Sequence, residues 1–316
     1  MGRTGRFRLA FLAFAVLALL AAAAWAAAPN RNEPSCAAAG PWLDARCYGA
    51  RGDGSGDDSA ALEKAVRAAI AADTPLLLPH GTYRLSHPLV IDYREVSDTG
   101  FRLISMGAVL DGRRISGGPV LQILCSGGTP EAPKGCFYFK EEGTLFVNAN
   151  TDHYAVVVGR HDFSDAQNSI KIDHLIVNNA NRGSRAGGLQ LNYVLSSEIF
   201  AVGDSAGGAA GIALEQTQIS RISGAGSASA KGGAALLIEN GYSFANTIAA
   251  MDLEVAPTCL VVASRKAVHN TFISPYMACA TAVEAIAGDT TQLVNPLFGG
   301  NVRKRYAAAV GIEAVP

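Results

Sequence analysis

Leu189-Gln190-Leu191-Asn192, Ile212-Ala213-Leu214-Glu215, Leu236-Leu237-Ile238-Glu239 and Leu260-Val261-Val262-Ala263 are one short pattern written four times. A weaker fifth copy reads Thr281-Ala282-Val283-Glu284, and successive last positions lie 23, 24, 24 and 21 residues apart. Seven to nine residues after each copy a second apolar stretch begins, at Ile199, Ile222, Ile248, Phe272 and Leu293. Two short strands per unit of about 23 residues is the spacing of a β-solenoid, in which each coil buries its apolar face only against its neighbours. Ser197, Ser220, Asn246, Asn270 and Thr291 each stand two residues before the second stretch. Stacked in register, small polar side chains of this kind can hydrogen-bond along the solenoid axis. Asn168, before Ile170, is expected to extend the column backwards.

Upstream, Tyr48-Gly49-Ala50-Arg51-Gly52-Asp53-Gly54-Ser55-Gly56-Asp57-Asp58 alternates glycine with acids, as a tight loop requires. Asp57, Asp58 and Ser59 are candidates for the N-cap of a helix whose Leu62, Val66 and Ile70 share one face. Leu76-Leu77-Leu78 and Tyr83-Arg84-Leu85 read as strands about a turn at Pro79-His80-Gly81-Thr82. The order from Tyr48 to Ile91 resembles the N-terminal signature of the pectate-lyase-like superfamily: a Gly-Ala-x-Gly-Asp-Gly loop, an Asp-Asp pair, a helix, then Pro-x-Gly-x-Tyr, met here by Pro79, Gly81 and Tyr83. The resemblance implies an all-β right-handed parallel β-helix closed by an N-terminal capping α-helix at about residues 58–72. It names a fold far better than a reaction. Of the motifs of its catalytic branches, Gly-His-Gly and Asp-Pro-His-Asp do not occur, and the one Asp-Asp pair belongs to the cap.

Arg3, Arg6 and Arg8 precede an apolar run from Leu9 to Ala28 with small residues at Ala24 and Ala26, the pattern of a secretory signal at residues 1–28. The run is also long enough to serve as a signal anchor. A spacer at 29–46 and a β-helix domain at 47–316 follow, placing the protein in a periplasmic or secreted setting. There, six cysteines favour disulfides, by proximity Cys36–Cys47, Cys125–Cys136 and Cys259–Cys279. Hydrophobic residues make up 49% of the 316, enough for a core, and charged residues 17%, with a net charge of −1. No basic stripe marks a nucleic-acid partner, and no second apolar stretch approaches membrane length.

Strand alternation turns Asn192, Glu215, Glu239, Ala263 and Glu284 outward. Coils stack about 4.8 Å apart, so Glu215 and Glu239 would be neighbours, and two carboxylates that close raise one another's pKa. Such a pair suits general acid chemistry at a glycosidic bond and is the candidate catalytic set. Calcium is an alternative occupant of the same oxygens. Arg182, Arg185, Arg221 and Lys231, expected on turns flanking these rungs, and Asp204, in a glycine-rich turn, are candidate substrate-binding residues. A polar loop holding Asp152, His153, His161, Asp162 and Asp165 is a further candidate. Asp173 and His174 read as polar residues beside a turn. The leading expectation is an enzyme cleaving a polysaccharide as lyase or hydrolase. The alternatives are a non-catalytic glycan-binding or surface β-helix protein, or a homo-oligomeric spike with Leu237 and Val261 as contact surface.

Overall fold

The structure, a computed structural model, describes residues 41–285 and 290–299 and the backbone of 311–313. Cys36 and the leader lie outside the described residues; Cys47 is disulfide-bonded. The chain winds as a parallel β-helix with three faces. A fifteen-stranded sheet forms one, including Arg102–Gly112, Lys140–Ala149, Lys171–Asn179, Glu198–Ser205, Arg221–Ala228 and Thr247–Glu254. An eight-stranded sheet runs from Leu89–Asp92 through Tyr154–Val158, Gly187–Asn192, Ala210–Glu215 and Ala234–Glu239 to Thr281–Ala285. A three-stranded sheet holds Lys134–Phe137, Asp165–Asn168 and Val194–Leu195, and single bridges at Gln218, Phe244 and Val268 continue it.

The repeat register is realised where its apolar pattern is strongest. Leu189 pairs with Ile212, Ile212 with Leu236, and Leu236 with Leu260. Ile199, Ile222, Ile248, Phe272 and Leu293 likewise form one continuous interior column. Each such side chain is 0–1% exposed, which contributes about 1.5–3 kcal/mol of hydrophobic stabilisation per residue. The fifth repeat is displaced by two residues: Val283 pairs with Leu260 and Glu284 with Val261. Glu284 therefore leaves the Glu215–Glu239 column. The weaker apolar content of Thr281-Ala282-Val283 had left its register underdetermined.

The polar ladder is built in the expected way. Asn270 Oδ1 accepts from the backbone N–H of Asn246 (3.2 Å), Asn246 Oδ1 from Ser220 (3.0 Å), Ser220 Oγ from Ser197 (3.2 Å) and Ser197 Oγ from Ile170 (3.1 Å). The position before Ser197 is thus Ile170, not Asn168, which pairs with Leu195. Upstream the column turns apolar, and Phe139 and Phe101 stack at 6.3 Å.

Strand pairing begins at Leu43–Asp44, upstream of the expected boundary at residue 47. The helix at the N-terminal end (α1) spans Ser59–Ala71 and buries Leu62, Ala65, Val66, Ala69 and Ile70. Asp58 holds the N-cap position but does not cap with its side chain. Its carboxylate instead accepts from the N–H groups of Arg51 (2.7 Å) and Gly52 (3.2 Å), closing the glycine-rich loop, while Asp57 takes the Ser59 N–H at 3.0 Å. Gly52 sits at φ +63° with the Tyr83 ring packed against its Cα, so a side chain there would be both strained and obstructed. Disulfides join Cys125 to Cys136 and Cys259 to Cys279 as expected.

A glutamate interrupts the apolar column that leads to Ile199. Glu141 pairs with Leu103 and Ile172 in the column that continues to Ile199, and it is 2% exposed. The register slips between Ile172 and Leu175, freeing backbone N–H groups at the bend. Glu141 Oε2 accepts from two of them, Asp173 (3.2 Å) and His174 (3.3 Å). Asp173 and His174 hence lie within a strand, not beside a turn. Burial, opposed by these bonds, pushes the Glu141 carboxyl up to about 7.

Candidate functional site

The glutamate pair lies where the eight-stranded sheet turns toward the three-stranded one. Strands Ala210–Glu215 and Ala234–Glu239 place Glu215 and Glu239 in register on consecutive coils, with Asn192 one coil before. Their environments differ. Glu215 is 1% exposed, and its Oε1 accepts from Gln190 Nε2 at 2.6 Å. Its Oε2 faces His161 Nδ1 at 2.8 Å, a close polar contact outside hydrogen-bond geometry. Glu239 is half-buried, and burial first, then the charge of Glu215, holds its carboxyl above the usual range, while His161 opposes the shift.

Each partner reaches the pair for a local reason. Gln190 is the outward residue two before Asn192, one coil from Glu215. His161 belongs to the turn at residues 159–164, between strand Tyr154–Val158 and strand Asp165–Asn168. The imidazole is exposed and covers the Glu215 carboxylate from the solvent side. Its ring lies 6.3 Å from Phe163, which meets Tyr193 edge-on at 6.4 Å. Asn192 Nδ2 donates to the Gly159 carbonyl at 3.2 Å, and Asn192 Oδ1 is buried without a partner among the described residues.

Tyr154 completes the outer face. It pairs with Gly187, and a Cβ on that glycine would overlap the phenol ring. The ring packs with Ala210, Ala213, Ala234, Leu237 and Val261, so Leu237 and Val261 form part of a small outer cluster. Burial first, then Glu239 and Glu215, holds the Tyr154 hydroxyl above its ordinary range and keeps it protonated.

The structure does not bring the five candidate binding residues to this pair. Arg185 ties up Asp152, with Nη2 2.9 Å from Oδ2, on the turn entering the eight-stranded sheet. Arg182 and Lys231 are exposed on turns at the same end. A six-residue strand separates that end from the glutamates by about 17 Å. Asp204 and Arg221 are strand residues of the fifteen-stranded sheet rather than turn residues. The Ser227 hydroxyl donates to Asp204, and Arg221 stands in register with Glu198. The expected polar loop is two turns on either side of a strand, and Asp165 is buried within the following strand. Sequence reasoning noted His161 without giving it a role and passed over Gln190, Tyr154 and Glu141. Only the histidine carried a signal, as a titratable residue in a polar turn.

The oxygens do not suit calcium. Glu215 spends one on Gln190 and the other on His161, and among the described residues no three of His, Cys, Asp and Glu converge. No helix among the described residues is long and apolar enough to cross a membrane.

A stacked parallel sheet with an N-terminal helical cap defines this chain as a β-helix protein. Residues 42–97 match the family described as "Rhamnogalacturonase A/epimerase, pectate lyase-like", and with the fold they support the pectate-lyase-like superfamily. Among solved structures, ORF18 of Geobacillus virus E2 superposes with a TM-score of 0.56 at 12% identity. The match covers 82% of this chain and 52% of that one, so this chain spans about half the phage protein's length. The mannuronan C-5 epimerase AlgE4 A-module of Azotobacter vinelandii gives 0.38 at 12% identity, over 86% of this chain and 100% of the other. PfbA, a surface adhesin of Streptococcus pneumoniae, gives 0.42 at 13% identity, over 81% and 61%. No curated protein matches the chain.

Proposed function

We propose that this protein is exported and cleaves a glycosidic bond of a polysaccharide at the Glu239–His161–Glu215 site. The observation that carries the reading is the asymmetry of the glutamates: Glu215 is buried against Gln190 and His161, while Glu239, one coil on, is half-buried with a raised carboxyl. A carboxyl whose pKa is raised by burial and by a neighbouring carboxyl is suited to donate a proton to the leaving glycosidic oxygen. Glu215 is too buried to reach a sugar. Its role is to hold the exposed imidazole of His161, which takes the proton released in the reaction. That proton comes from a sugar carbon in β-elimination or from the attacking water in hydrolysis. Tyr193, Phe163 and the exposed Tyr242 offer ring faces for sugar stacking nearby. Buried disulfides suit an oxidising compartment.

The decisive test is product analysis with acidic and neutral polysaccharides. Unsaturated ends identify elimination, and saturated new reducing ends identify hydrolysis. A second reading, a non-catalytic glycan-binding protein, is favoured by the spread of Arg182, Arg185, Asp204, Arg221 and Lys231 over the surface instead of around one cleft. Binding that survives H161A and E239Q, with no product from any substrate, would select it.

A further inference from the structure

Asp165 is a buried charge that the proposed chemistry does not use. It opens the strand Asp165–Asn168, is 0% exposed, and makes three hydrogen bonds. Oδ1 accepts from the Arg160 backbone N–H at 2.6 Å, and Oδ2 accepts from the Cys125 N–H and from Gln167 Nε2, both at 2.9 Å. Gln167 is itself fully buried and accepts the Tyr93 hydroxyl at 2.6 Å. A polar chain therefore runs through the core from Tyr93 to Arg160, the residue before His161.

The turn carrying His161 is held at its other end too. Gly159, at φ +74°, donates its N–H to the Ile123 carbonyl and accepts from Asn192 Nδ2; a side chain there would overlap the Asn192 carbonyl. Between these anchors Phe163 N–H closes back on the Arg160 carbonyl at 2.9 Å, and Asp162 takes the Ser164 N–H at 3.1 Å. The His161 side chain itself is exposed, with little packing to fix it. Its place over Glu215 therefore depends on the backbone beneath it, and the Asp165–Arg160 bond is the anchor nearest to it.

We propose that Asp165 is a positioning residue for His161: it pins the turn at residues 159–164 from within the core, so that the imidazole stays over the Glu215 carboxylate. The functional consequence rests on the reading of His161 as the proton acceptor. Asparagine at position 165 would keep the shape but turn an N–H toward either the Arg160 or the Cys125 N–H, setting donor against donor.

The test compares D165N with Y93F, which cuts the same chain two links from the turn. In D165N the Arg160 amide should exchange at least about tenfold faster, and the Phe163–Tyr193 ring contacts seen by nuclear magnetic resonance should disappear. Turnover should fall on the order of 10–100-fold with KM little changed, as misplacement of a reacting group predicts. Y93F should lower the melting temperature yet keep the ring contacts and kcat. Retained Arg160 protection and ring contacts in D165N overturn the proposal, as does Y93F matching D165N in every readout. If the turn loosens in D165N while H161A retains full turnover, the anchoring stands and the catalytic reading of His161 falls.

Discussion

Glu215 and Glu239 occupy equivalent positions on consecutive coils, yet one is sealed and the other is open to a ligand. The backbone register makes them neighbours. Gln190 and His161 then cover the first, while the second is left half-buried. Two identical side chains on one ladder thus acquire different chemistry from what lies over them.

If Glu239 donates the proton, E239Q should lower turnover about 10²–10⁴-fold, the usual worth of a positioned acid. The melting temperature should change little, because the side chain is only half-buried. Unaltered product formation by E239Q would remove the assignment.

Charge on Glu215 helps to raise the Glu239 carboxyl, so neutralising it should lower that pKa. A general acid works below its own pKa. The alkaline limb of the kcat/KM profile should accordingly move to lower pH in E215Q, and an alkaline limb that stays in place would contradict the coupling.

Glu141 links stability to pH. Its folded carboxyl sits near 7 against 4.5 for the free group, so the folded state holds the proton more tightly across that interval. Its penalty is absent below about 4.5 and grows as pH rises to 7. E141Q should therefore stabilise the protein at pH 8, by at most roughly 3 kcal/mol. Its effect at pH 4 should be small. Denaturant melts at both pH values check this, and equal effects at the two would exclude it.

Asn246 serves three backbone or side-chain partners at once: Ser220, Thr217 and Asn270. N246A leaves buried groups unpaired on both neighbouring coils and should cost about 1–3 kcal/mol per stranded group. Urea denaturation measures it; a loss under about 0.5 kcal/mol would mean that the ladder adds register but little stability.

G187A would push the Tyr154 ring off the sheet, with an overpacking cost of about 1–3 kcal/mol. Near-wild-type stability would show that Tyr154 has room to move.

Much of the fold was legible in the chain, and the reason is periodicity. An apolar pair recurring about every 23 residues has few ways to be buried other than stacking, so the interior column from Ile199 to Leu293 and the Ser/Asn ladder follow directly from spacing. The pattern failed where it weakened. Thr281-Ala282-Val283-Glu284 pairs two residues from the repeat alignment, and Ile170 rather than Asn168 continues the ladder, because a two-residue slip leaves every side chain on its own face and so leaves no mark in the alternation.

The stack, the capping helix and the adjacency of Glu215 and Glu239 are written in the chain, since each follows from local pattern and a constant rise between coils. It takes the folded chain to bring His161, over fifty residues upstream, over Glu215, to lay Tyr154 across Gly187, and to put Glu141 in an interior position at the bend. Those contacts arise where a turn folds over a neighbouring coil or a strand slips register. No periodicity encodes them, because they are set by how irregular segments pack against a regular core.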